Sequence, residues 1–128
     1  MPLYAWVAIG SAAGGLIRFL LGTLIQQKTG STFPIGTLAI NAGGSLVLGF
    51  LLRYALGTPA VSAEMRALLT AGFCGGFTTF STFGYEAARL LQDGQAGRAG
   101  VYMLASALGS VAAALAGFRL AATMLGRG

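Results

Sequence analysis

Residues 75–84 read GGFTTFSTFG. They lie in the middle of a long apolar segment and carry four hydroxyls and three aromatic rings but no charge. A membrane helix has little reason to gather threonine, serine and glycine at its centre. Non-helical backbone survives at membrane depth only where protein or a polar cavity satisfies it, and such interruptions recur at ion and substrate sites. The stretch therefore predicts a span broken at its centre, with function at the break.

The composition around it supports a membrane reading. Of 128 residues, 55% are apolar and 9% charged, with 21 glycines, against about 25% charged residues in an average soluble domain. The apolar residues fall in long blocks, so the chain reads as an all-α integral membrane protein. The start, MPLYAW, lacks a basic n-region, and apolar character runs past any cleavage site, so the first segment is expected to be a retained span. Histidine is absent and Cys74 is the single cysteine, which excludes a disulfide within one chain and argues against zinc or haem. Cys74 reads as a small buried residue. The net charge of +5 comes from eight basic residues dispersed singly near segment ends. Nucleic-acid footprints cluster on one face, so no nucleic-acid partner is expected, and these charges read as interface anchors.

A span needs roughly 20 mainly apolar residues. Four candidates form one membrane domain over residues 1–128, at about 3–25, 34–56, 63–91 and 99–125. The connections QQKTGSTF, GTPAVS and QDGQAGR are rich in turn formers; residues 27–33 read as loop, Pro34 suits a first helical turn, and Thr58-Pro59 favours a break. The third candidate is too long for one straight crossing.

Four spans put both termini on one side. That side carries Arg53, Arg66, Arg119 and Arg127; the other carries Lys28, Arg89 and Arg98, with Arg18 leaning the same way from inside span one. Orientation follows the Lys/Arg bias, and here the bias is almost nil. Insertion in both orientations, with opposed copies pairing as an antiparallel homodimer, stands beside a single orientation fixed by a weak bias.

The small-xxx-small motifs Gly10–Gly14, Gly72–Gly76 and Ser45–Gly49 read as close helix packing. Arg18 lies about sixteen residues into span one; it either acts electrostatically on anions or reaches back to the interface. Glu86 reads as structural, pairing with an arginine or capping a helix. Asn41, the single asparagine, either glues helices together or offers amide donors to an anion. Thr37 shares its face. Tyr102, Ser106 and Ser110, at i, i+4 and i+8, form a hydroxyl stripe on span four, unless those hydroxyls bond back to their own helix. Thr79 and Ser81 add hydroxyls at the break. Phe80 and Phe83 alone would read as packing, but ring edges carry positive potential. No carboxylate lines these positions, and neutral donors with positive ring edges suit an anion.

These residues bring a family into view. GGLIR at residues 14–18, GTLAIN and AGGSLVLGF between residues 36 and 50, and GFCGGFTTFSTF at residues 72–83 followed by Glu86 resemble the small fluoride channels called Fluc or CrcB. The resemblance covers nearly the whole chain, although Phe19 and Gly84 stand where Tyr and Ser are often expected. It implies an antiparallel, dual-topology homodimer of four-helix subunits with the third helix broken, in the bacterial inner membrane as a multi-pass protein, with two separate fluoride pathways. It implies that Phe80 and Phe83 line the pathway with their ring edges, and that Asn41 and the span-four serines donate along it. It further implies a structural sodium on the two-fold axis, held by the backbone carbonyls of Gly75 and Thr78 from both copies.

The expected activity is passive, fluoride-selective export from the cytoplasm rather than an enzyme's reaction. The alternative is a proton-coupled small multidrug exporter of the four-span dual-topology type, a mechanism that wants a carboxylate in span one.

Overall fold

The computed structural model describes residues 1–126; Arg127, counted above among the basic residues, lies outside them. The chain is all-helical. Helix α1 spans Leu3–Thr29 and α2 spans Ile35–Leu56. The third crossing is made of pieces: α3 at Ala63–Ala67, a π-helical turn at Leu68–Cys74, α4 at Gly75–Phe77, and α5 at Phe80–Gln92. Helix α6 closes the chain at Ala96–Met124. The three continuous helices α1, α2 and α6 are long and apolar enough to cross a membrane. At about 1.5 Å per residue, the 27 residues of α1 exceed a hydrocarbon core of about 30 Å.

The outward faces are apolar. Leu16, Phe19, Leu20, Val101, Leu104 and Leu108 are all exposed, while the buried residues of α1 are Gly10 and Gly14. A helix that turns large apolar residues outward and glycine inward is built for lipid. The glycines form two seams where backbone meets backbone. In the first, a Cβ on Gly10 would fall on the Leu68 carbonyl oxygen, and one on Gly14 on the Phe73 carbonyl oxygen. Gly76 is matched in the same way to the backbone of Ser11. In the second, Gly49 of α2 meets Ala114, and Gly117 of α6 meets the backbone of Leu46 and Phe50. The Gly10–Gly14 and Gly72–Gly76 motifs thus pack on each other within one chain.

The sequence reading did not include the π-helical turn. A π turn places its carbonyls one residue out of α register. Here side chains take up part of the difference, with Ser11 Oγ donating to the Gly72 carbonyl at 3.3 Å and Thr70 Oγ1 to the Arg66 carbonyl at 2.6 Å.

The expected break lies at Thr78-Thr79, both extended, with φ/ψ of −87°/158° and −147°/123°. Thr79 then caps α5, its Oγ1 accepting from Thr82 N at 3.2 Å. The amphipathic α5 buries Ala87 and Leu90 against Ala99 and Tyr102 of α6.

Two boundaries differ from the sequence reading. Helix α1 runs on through residues 27–29, read above as loop, and stops at Gly30, whose φ of 61° is the left-handed conformation that ends helices. Helix α6 starts three residues early, at Ala96, after the turn at Gly94 (φ 76°). The α1–α2 and α5–α6 connections meet at one end: Arg98 donates to Thr32 Oγ1 at 3.0 Å and lies over the Phe33 ring at 5.5 Å.

Candidate functional site

Breaking a helix leaves peptide groups without partners. Asn41, seventh in α2, supplies them. Its Oδ1 accepts from Thr79 N at 2.8 Å, and its Nδ2 donates to the Thr79 carbonyl at 2.9 Å. An amide side chain matches a peptide's own donor and acceptor, so Asn41 clasps the break as a neighbouring strand would. The clasp has a consequence one turn earlier. Thr79 N no longer bonds Gly75, and Thr82 N is taken by the Thr79 hydroxyl. Among the described residues the carbonyls of Gly75 and Thr78 therefore accept no hydrogen bond, whereas Gly76 accepts from Arg18 Nε at 3.1 Å. Arg18 thus binds the broken span directly.

Two cavities flank the break. The first, about 420 Å³, is an open groove lined by Asn41, Ser45, Leu48, Thr78, Thr79, Phe80, Phe83, Ser106, Ala107, Ser110 and Val111. Every polar group in it is neutral. Phe80 and Phe83 stand 5.5 Å apart, tilted by 39°. Ser106 Oγ is buried there without a hydrogen-bond partner among the described residues. Phe80 is 83% exposed, so the groove is open on that side.

The second cavity, about 310 Å³, is more polar; Arg18, Thr23, Gln26, Thr37, Thr82 and Glu86 are among its lining residues. Thr79 lines both cavities and links them. Glu86 is held by Tyr102, whose hydroxyl donates to Oε1 at 2.9 Å. The single ion pair among the described residues is the exposed Arg89–Asp93 contact at 3.7 Å. The Arg18 charge therefore faces the cavity with a carbonyl, and no carboxylate, in direct contact.

The structure brings most of the residues expected on the pathway together: Asn41, Thr79, Phe80, Phe83, Ser106 and Ser110 at the groove, and Arg18 and Thr37 at the polar cavity; of the pair expected at a cation, Thr78 lines the groove and Gly75 lines neither. Tyr102 and Ser81 line neither. Tyr102 is fully buried behind Phe83, with ring centroids 5.2 Å apart. Ser81 is exposed, 3.4 Å from Thr79 Oγ1. Sequence reasoning missed Gln26, Ser45 and Thr82. Ser45 continues the four-residue spacing of Thr37 and Asn41, so its signal was present.

Residues 5–118 match the family described as CrcB-like protein, Camphor Resistance (CrcB). The chain belongs to the CrcB family. It is 43% identical over 126 residues to a fluoride-specific ion channel FluC of Thermus thermophilus, covering 98% of this chain and 100% of the relative. It is similarly related to proteins of the same name from Chlorobaculum tepidum, at 44% over 115 residues with 90% of each chain covered, and from Geobacter sulfurreducens, at 45% over 100 residues with 78% of this chain and 81% of the relative covered. With three crossing helices and a broken fourth span, this CrcB chain is a multi-pass membrane protein.

Proposed function

We propose that this CrcB chain is a passive fluoride channel. The observation that carries the reading is the groove at the break, whose polar groups are all neutral and include the unpartnered Ser106 hydroxyl. Relatives that bear the name fluoride-specific ion channel support it. The positive field of Arg18 raises the anion population in the polar cavity, and Thr79 passes the ion to the groove. One Asn41 N–H is committed to the Thr79 carbonyl; the second serves the ion, together with the Ser106 and Ser110 hydroxyls. The edges of Phe80 and Phe83 add weak positive potential. Conduction needs binding loose enough for exit, and ring edges meet that need where an ammonium would trap the ion. Neutral HF enters cells and dissociates, and an inside-negative potential drives the anion out by about 2.3 kcal/mol per 100 mV. The channel then exports fluoride across the bacterial inner membrane and performs no enzymatic step.

The open groove with Phe80 at its rim supports assembly with a second copy, and the balanced Lys/Arg count supports an antiparallel, dual-topology pair. A sodium ion would be held by the Gly75 and Thr78 carbonyls. Their release from helical hydrogen bonding fits a hard cation, which takes oxygen ligands, and two copies would supply four such oxygens. Nothing favours the multidrug exporter, since α1 carries no carboxylate. The test is fluoride efflux from liposomes holding the purified protein, with potassium permeability supplied by an ionophore. Rapid fluoride release that depends on the ionophore is expected, and vesicles no leakier than protein-free ones would refute the proposal.

A further inference from the structure

Gln26 occupies the last turn of α1, and its side chain is fully engaged. Its Nε2 donates to the Ser31 and Phe33 carbonyls at 2.7 and 2.9 Å, and its Oε1 accepts from Gly36 N at 2.9 Å. No other side chain among the described residues makes three bonds to backbone. The close fit extends to Gly36, where a Cβ would lie 2.6 Å from the Gly22 carbonyl oxygen and 3.3 Å from Gln26 Oε1. Gln26 also lines the polar cavity beside Arg18, Thr37 and Glu86, yet both its N–H groups are spent on carbonyls, so it has no donor left for an anion.

What Gln26 holds in place reaches the groove. Pinning the Phe33 carbonyl sets the Phe33 ring against Tyr102, edge to face at 5.5 Å and 86°. Tyr102 in turn holds Glu86 through its hydroxyl and touches Phe83 through its ring. Phe33 packs on the same small core as Leu90 and Ala99, so a shift of the connection is carried to α5 and α6 rather than lost to solvent.

Resting on the channel reading above, we propose that Gln26 is a positioning residue for the conducting path. It fixes the α1–α2 connection so that Phe33 braces Tyr102, and Tyr102 fixes Phe83 in the groove wall and Glu86 in the polar cavity. Small displacements of a positioned group carry large rate effects, and Gln26 acts at this distance because each contact in the chain is packed or hydrogen-bonded.

The test reconstitutes Gln26→Met, Phe33→Leu and the double variant, each read as the ratio of its fluoride flux to that of the parent. Gln26→Met keeps the length and removes all three hydrogen bonds; Phe33→Leu keeps the clasp and removes the ring. Each should lower flux by about tenfold or more, and the double variant should fall within about twofold of the lower single, because residues on one path are not additive. With 3-fluorotyrosine incorporated, Gln26→Met should move the Tyr102 fluorine resonance and leave those of Tyr4 and Tyr54, at the opposite end, in place. Gln27→Met, at the exposed neighbouring position, should conduct like the parent. Parent-level flux in either single variant, fully multiplicative losses, or an unmoved Tyr102 resonance would overturn the proposal. If the Met variant does not assemble, Phe33→Leu flux and its Tyr102 resonance decide. A parent that fails to conduct fluoride overturns the channel reading; the Tyr102 resonance, which is read without conduction, then decides whether Gln26 positions Tyr102.

Discussion

The two halves of the broken span meet their neighbours by opposite means. Residues 68–77 press backbone to backbone on α1 through Gly10, Gly14, Gly72 and Gly76, with no room for a methyl group. Residues 78–83 meet theirs through side chains, held by the Asn41 clasp, with Phe83 against Tyr102, and are bordered by two cavities. Tight glycine packing, with the Gly72 and Gly76 carbonyls taken up by Ser11 and Arg18, supplies rigidity, whereas the looser half exposes hydroxyls, ring edges and the freed Thr78 carbonyl. The difference shows how a chain of this size separates scaffold from site: the seam holds one end of the break fixed, so the other end can carry unsatisfied groups.

The largest expected effect lies in the seam. Gly14→Val drives a branched side chain into the Phe73 backbone, which cannot move aside as a flexible side chain would. It should cost about 3 kcal/mol or more and leave little folded protein by size-exclusion chromatography and thermal melting in detergent. Normal assembly of this variant would break the comparison.

In the open half, Phe80→Leu and Phe83→Leu keep apolar bulk but lose the ring edge. Fluoride flux should fall by about a hundredfold, equivalent to about 3 kcal/mol along the path, while the melting temperature stays near that of the parent. Parent-like flux would reduce both rings to packing. Asn41→Leu removes the clasp and leaves the N–H and carbonyl of Thr79 unpartnered, so it should lower stability by about 2 kcal/mol and flux with it. This is the one site residue where both readouts move together.

Ser106→Ala should separate them. Removing a buried hydroxyl without a partner should raise stability by about 1 kcal/mol while lowering fluoride flux several-fold in the same liposomes. A stability loss would mean that the hydroxyl is satisfied in the membrane and serves packing. The smallest effect belongs to Gly97→Ala in the first turn of α6, where a Cβ meets nothing within 4 Å. Improved helix propensity should add less than about 1 kcal/mol, with flux unchanged.

Much of this was legible in the sequence, and for local reasons. The apolar blocks marked the spans because lipid demands them, and the GGFTTFSTFG run marked the break because its glycines and hydroxyls have no use in a continuous lipid-facing helix. The groove residues on α2 and α6 were found because a four-residue spacing keeps side chains on one helical face. What escaped was tertiary. The π-helical turn at Leu68–Cys74 arises from how the backbone seats on α1, and no residue in LLTAGFC announces it. Arg18 had two sequence readings, and its bond to the Gly76 carbonyl, 58 residues away in the chain, was visible in neither. Tyr102 shares a helical face with Ser106 yet lies behind Phe83, because α5 packs over it. Gln26 reads in sequence as part of a connection; the helix continues through it, and all its partners lie five to ten residues further on.

The central claim is that fluoride crosses at the break, selectively and passively. Recording from the purified protein in a planar bilayer, with a tenfold fluoride gradient and equal chloride on both sides, tests it most directly. The account predicts a current that reverses near the fluoride equilibrium potential, about 59 mV for a univalent ion. A reversal potential near zero, or the absence of any current that depends on fluoride, would contradict it.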